Sequence, residues 1–200
     1  VTVNIKSEKN YGLIGSILVI VGRFLGITPY IRIIMSTVSL VGQVLILLSL
    51  KGIGDKLGDD RPFKYYLYSV VSGIVGAIVA LIFVAIGILS IPAFVDEADS
   101  ISTVGISFLG LGVLVLLAAA IIGIYYAIKT WRTMYRLTGV EEFDKTATFL
   151  KWGAITLIIL VGIILLLIAE VFQIIAFSKL PDELEPKGQK PEYDTGVVVY

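Results

Sequence analysis

The chain contains neither cysteine nor histidine. Without cysteine there is no disulfide, no thiolate nucleophile, no iron–sulfur ligand and no cysteine-based zinc site. Without histidine the commonest haem and transition-metal ligand is gone, and so is the commonest general base. Charge is scarce too: 16% of the 200 residues are charged, against roughly 25% in soluble domains. Sixteen basic residues offset sixteen acidic ones, so no global field recruits a polyanion and nucleic-acid binding is excluded. Carboxylate chemistry stays open in principle, but it needs two acids facing one another at one depth. The expectation is therefore no enzymatic activity, no cofactor and no metal.

What the chain has in abundance is apolar surface. Hydrophobic residues make up 57% of it, and the mean hydropathy is +0.95. A soluble monomer of this size could not bury so much in one core, because small domains leave much of their surface in water. The fold class expected is all-α, a polytopic transmembrane helical bundle. Lys6 and Lys9 precede the first apolar stretch, but no small-residue cleavage pattern follows, so that stretch reads as a retained span.

Five spans are expected at about 11–27, 31–50, 65–91, 104–128 and 152–177, each near the ~17–25 residues that cross a hydrocarbon core. The first, which is short, either crosses fully or forms a re-entrant hairpin with the second. Pro29 marks the turn between them. Gly52-Ile53-Gly54-Asp55 is expected to stop the second helix, and Asp60-Arg61-Pro62 to start the third with proline in its first turn. Pro92 ends the third. Thr138-Gly139-Val140-Glu141 has the pattern of a capping box, which predicts a short amphipathic helix leading into the fifth span.

Lysine and arginine are concentrated in alternate loops. Lys51, Lys56, Arg61 and Lys64 lie between spans two and three, and Lys129, Arg132, Arg136, Lys145 and Lys151 between four and five. The loop between three and four holds only Asp96, Glu97 and Asp99. The positive-inside rule then predicts a cytoplasmic segment at 1–10, a helical domain at 11–178 and an extended extracytoplasmic tail at 179–200. Trp131 and Trp152 fall at the cytoplasmic interface. The tail either stays solvated or docks as a strand or hook on a neighbouring chain.

Ionisable side chains at membrane depth are costly, which makes each a candidate for function. Arg23 and Arg32 fall near the outer leaflet, as does Glu170, and Glu170 needs one of the two arginines as a partner. One reading is a structural tie between the last helix and the first hairpin, and the other is a polar vestibule for an ion or an acidic solute. Gln43 and Gln173 are expected to make helix–helix hydrogen bonds. Gly22 and Gly26 form a close-packing step on helix one, and Ser69, Gly73, Gly76 and Ala80 form one on helix three. Asp55, Asp59 and Asp60, interleaved with Lys56 and Arg61, read as a neutralised loop rather than a metal site. Gly105, Gly110 and Gly112 sit in an apolar span and are not a phosphate loop.

Three stretches resemble an archaeal family of small membrane proteins, the domain of unknown function nine-nine-six. They are Gly12-Leu13-Ile14-Gly15-Ser16-Ile17-Leu18, Asp60-Arg61-Pro62-Phe63-Lys64-Tyr65-Tyr66-Leu67 and Phe172-Gln173-Ile174-Ile175-Ala176-Phe177. The resemblance covers roughly residues 11–180. It implies a multi-pass protein of an archaeal plasma membrane and carries over no activity and no catalytic residue. Low amide content (Asn4, Asn10, Gln43, Gln173, Gln189) and absent cysteine also suit a heat-adapted source.

Two functions are expected. The first is a structural or accessory subunit that packs in lipid against its own copies or a larger membrane complex. The alternative is a small ion or solute channel or carrier with a polar vestibule at Arg23, Arg32 and Glu170.

Overall fold

A computed structural model describes residues 2–25, 29–90, 103–156 and 161–185. Six helices follow one another: α1 Lys6–Phe24, α2 Pro29–Leu57, α3 Arg61–Ser90, α4 Thr103–Thr138, α5 Glu141–Ile155 and α6 Val161–Lys179. Two short strands flank them, β1 Val3–Asn4 and β2 Glu183–Leu184, paired antiparallel with Val3 opposite Leu184. Four helices are long and apolar enough to cross a membrane: Tyr30–Leu57, Arg61–Ser90, Val104–Thr138 and Val161–Lys179. The five expected spans are thus four such helices among the described residues. α1, at 19 residues as long as α6, carries Lys6, Glu8, Lys9 and Arg23, and α5 carries Glu141, Glu142, Asp144, Lys145 and Lys151.

The largest difference from expectation lies in the fifth span. The run 152–177 is not one helix, because α5 ends at Ile155 and α6 doubles back along it. Gly162 donates its N–H to the Thr156 carbonyl at 3.1 Å across the reversal. Below it Phe149 stacks on Phe172 with ring centroids 5.2 Å apart, and Lys179 pairs with Glu142. Gly153 makes the approach possible, since a Cβ there would lie 2.9 Å from the Leu166 side chain. Hydropathy is uniform through the turn, so the break leaves no trace in it.

The extra reversal moves the end of the described chain. The five-span expectation puts the two ends on opposite sides, whereas residues 3–4 and 183–184 lie side by side. They meet in the β1–β2 ladder. Ile5 donates to the Asp182 carbonyl at 2.8 Å, Lys9 pairs with Asp182 at 3.0 Å, and the Thr2 hydroxyl reaches Glu183 at 2.9 Å. Residues 186–200, including Pro186, Pro191 and the β-prone end of the tail, lie outside the described residues, as do Asp96, Glu97, Asp99, Pro92 and Gly26.

Helix ends also depart from the expected chemistry. α2 runs through Gly52 and Gly54 and stops at Gly58, whose φ of +75° suits glycine alone. The two earlier glycines admit neighbours instead, Gly52 the Glu8 side chain and Gly54 the Asp59 carbonyl. The capping box at Thr138 does not form. Thr138 Oγ1 donates to the Met134 carbonyl at 2.8 Å and accepts from Val140 N–H at 3.3 Å. α5 therefore begins at Glu141, with Val140 before it supplying no side-chain cap, after Gly139 closes α4 at a φ of +73°. Pro62 does lie in the first turn of α3.

The packed core gathers at the strand end of the bundle. Trp131 stacks parallel on Phe143 at 5.6 Å, and Phe177 stands edge-on to both, at 5.9 and 5.3 Å. Ile5, Ile46, Leu50, Ile53, Met134 and Leu180 are fully or almost fully buried around them. Trp131 is thus a core residue and not an interfacial anchor, while Trp152 is exposed. Ion pairs ring this end: Lys56 with Glu8 at 2.6 Å, Arg61 with Asp59, Lys64 with Asp60 at 2.6 Å. Asp59 and Asp60 are indeed neutralised by their own loop. Toward the other end α3 and α4 pack mainly on each other and leave Leu81, Leu89, Leu114 and Ile121 exposed.

α1 and α2 approach most closely at glycines. A Cβ on Gly15 would lie 2.6 Å from the Gly42 carbonyl oxygen, and one on Gly22 2.5 Å from that of Met35. Gly76 meets Ala119 just as tightly, whereas Gly73 faces open space. Of the expected packing residues, Gly22 and Gly76 serve that role and Gly73 does not.

Two outcomes follow for stability in detergent. Gly15→Val forces α1 off α2 and is expected to cost about 1–3 kcal/mol, read as a lowered melting temperature, while Gly73→Ala leaves that temperature unchanged. The second concerns acid. The hydrogen bond from Lys179 holds the Glu142 carboxyl below its ordinary value of 4.5, and that from Arg61 holds Asp59 below 3.8. A depressed folded pKa stabilises above the unfolded value and is lost as pH falls through the folded one. The melting temperature is expected to be flat above pH ~5 and to fall below pH ~4.5, with a shallower fall in Glu142→Gln.

Candidate functional site

Polar side chains at membrane depth converge on one cavity. α1 contributes Ser16 and Arg23, spaced seven residues apart and so on one helical face. α2 contributes Gln43, α3 contributes Tyr66 and Ser69, and α6 contributes Glu170 and Gln173. Trp131 of α4 and Leu150 of α5 complete a lining drawn from all six helices. The cavity measures about 430 Å³. Glu170 stands seven residues before Phe177, roughly 10 Å further from the aromatic cluster along α6.

The ion pair at the cavity wall joins α1 to α6. Arg23 Nη1 contacts Glu170 Oε1, so Arg23 and not Arg32 is the partner of Glu170. The Glu170 side chain is only 13% exposed, and its second oxygen, Oε2, is buried with no hydrogen-bond partner. Such an acceptor carries a desolvation cost of several kcal/mol in hydrocarbon. One turn nearer the aromatic cluster, Gln173 Nε2 donates to Ser16 Oγ at 2.8 Å, and Ser16 in turn donates to the Gly12 carbonyl at 2.7 Å. Gln173 thus makes the helix–helix contact expected of it, while Gln43 lines the cavity.

A second chamber of about 540 Å³ adjoins the first and lies toward the far end of α1. Gly22, Arg23, Arg32, Ser36, Ser39 and Leu40 line it. Arg23 and Leu40 belong to both chambers. Arg32 is exposed on the first turn of α2 and reaches the outer chamber alone.

The charges Arg23, Arg32 and Glu170 are legible in the sequence, because a charge in an apolar run is conspicuous. Nothing in the sequence marks Ser16, Tyr66 and Ser69 as lining residues. Their polarity is mild enough to suit packing, and Ser69 shares a small-residue step with Gly73. Among the described residues no group of three or more acidic side chains is placed to hold a metal ion. Chemically the site offers guanidinium and hydroxyl donors on one side and a buried carboxylate oxygen and amides on the other.

The sequence pattern of a family described as "Protein of unknown function (DUF996)" matches residues 38–171. The chain is 32% identical over 188 residues to the uncharacterized protein MJ1644 of Methanocaldococcus jannaschii, with 94% of this chain and 99% of that protein covered. No solved structure matches the chain. Aligned over nearly its whole length with an archaeal relative, and matched by the family pattern across most of its helices, the chain belongs to the DUF996 family.

Proposed function

We propose that this protein binds, and passes, a small ion or polar solute through the cavity around Arg23, Arg32 and Glu170, as a non-enzymatic multi-pass protein of the archaeal plasma membrane. The observation that carries the reading is Glu170 Oε2, buried, unpartnered and set in a cavity of about 430 Å³. A purely structural tie does not require Arg23, Gln43, Tyr66, Glu170 and Gln173 to share one cavity. Apolar residues of similar volume would pack there at no desolvation cost.

A second reading, an accessory subunit packing against its own copies or a larger complex, draws on α3 and α4. Their outward groove is lined by small residues, Ser72, Gly76, Ala118 and Ala119, between exposed Val75 and Ile122. Faces of this kind let another helix approach closely in lipid.

One experiment separates the two. With wild-type and Glu170→Gln proteins in liposomes at equal folded protein, transport predicts that ion or solute flux is lost beyond what any drop in melting temperature from breaking the pair with Arg23 accounts for. A fall in melting temperature with permeability unchanged would reduce the pair to a structural tie and leave the accessory reading.

Orientation is part of the same proposal. Lys51, Lys56, Arg61, Lys64, Lys129, Arg132, Arg136 and Lys145 lie toward the strand end, and Arg23 and Arg32 toward the other. The lysine and arginine excess supports a cytoplasmic strand end, with both β1 and β2 inside. Because the chain has no cysteine, Thr2→Cys and Glu185→Cys can each carry a single thiol. Both are expected to react with a membrane-impermeant maleimide in inverted vesicles and neither in intact cells. Labelling of the two from opposite sides would overturn the shared face.

A further inference from the structure

We infer that the outer chamber is a site for a small oxyanion of single negative charge, a phosphate or carboxylate, with Arg23 standing between it and the inner chamber. The inference rests on the solute-binding reading above and gives that site its ligand class. Among the described residues, the polar side chains of the outer chamber are the guanidiniums of Arg23 and Arg32 and the hydroxyls of Ser39 and Ser36, with no carboxylate; Ser36 Oγ already donates to the Ile33 carbonyl at 2.7 Å. Guanidinium presents its N–H donors in a planar fork that matches the oxygens of carboxylate and phosphate. Gly22 brings the two arginines to one chamber: with no side chain there, α1 lies so near α2 that a Cβ would sit 2.7 Å from Ser39 N.

The charge count points the same way. Among the described lining side chains Arg23 and Arg32 supply two positive charges and Glu170 one negative, a net +1. One monoanion balances that excess. A cation in the outer chamber would raise the excess to +2. A guanidinium has five N–H donors, more than the single carboxylate oxygen of Glu170 engages, so Arg23 can hold Glu170 and an anion together.

The ligand's position follows from that sharing. An anion in the outer chamber takes the N–H donors of Arg23 that Glu170 leaves open, with Arg32 as its second guanidinium. A volume of about 540 Å³ admits a polyatomic anion with bound waters. The same chemistry comes from two sources, a soluble oxyanion and the phosphodiester of a lipid headgroup.

The test uses the full chain, purified in detergent and stripped of lipid. Inorganic phosphate and acetate are titrated by calorimetry, and retention of phosphatidylglycerol is read by native mass spectrometry. Each is done for wild type and Arg32→Gln, a substitution outside the Arg23–Glu170 pair. Saturable binding of phosphate or acetate, weakened about tenfold or more in Arg32→Gln at an unchanged melting temperature, supports the site and a soluble ligand. Phosphatidylglycerol retained by wild type and lost from Arg32→Gln, with no response to the soluble anions, supports the site and a headgroup ligand. Absence of binding in both arms, or binding indifferent to Arg32→Gln, overturns the anion site. Flux that depends on Glu170 in a protein that binds no anion removes this inference and leaves the solute-binding reading intact. Loss of both removes both.

Discussion

The ion pair between Arg23 and Glu170 is the constraint around which the bundle is arranged. Neither residue is affordable at membrane depth alone, so α1 and α6 must lie side by side although the other four helices separate them in sequence. Satisfying that demand draws in the rest. Gln173 and Ser16 repeat the α1–α6 contact nearer the strand end, and the glycines at 12 and 15 let α6 and α2 close on α1. The pair leaves one carboxylate oxygen over, and the cavity that oxygen lines is what distinguishes this bundle from a simply packed one.

The two ends of the molecule are built on different principles. At the strand end the Trp131–Phe143–Phe177 cluster, the β1–β2 ladder and the ring of ion pairs fix every chain segment against another. That end resembles a small soluble core. Toward the other end α3 and α4 leave each other as their chief neighbours and present aliphatic side chains outward, where hydrocarbon replaces water as the surrounding medium. Close packing at the strand end and two chambers beyond it set an aromatic floor beneath a pair of arginines.

Much of the site was legible because its members break a pattern. Arg23, Arg32 and Glu170 stand out against long aliphatic runs, and their shared depth follows from the helical rise. The choice between Arg23 and Arg32 as the partner of Glu170 was not legible. Both lie near the same turn, and only the packing of α1 on α6 favours Arg23. Ser16, Tyr66 and Ser69 escaped notice for the opposite reason, being residues that membrane helices use everywhere. The missing capping box at Thr138 is similar: its hydroxyl finds a carbonyl one turn back before it can cap the next helix.

By itself the sequence determined that the chain is helical and bound for a membrane, because transfer free energies add residue by residue along a run and need no knowledge of the neighbours. It determined as well which few side chains would be expensive there. Only the tertiary structure decided how the last apolar run folds and where the chain's ends meet. The reversal between α5 and α6 alters no hydropathy, so it is set by what the two helices find to pack against. That packing returns Asp182 to Ile5 and Lys9 and so brings β2 beside β1.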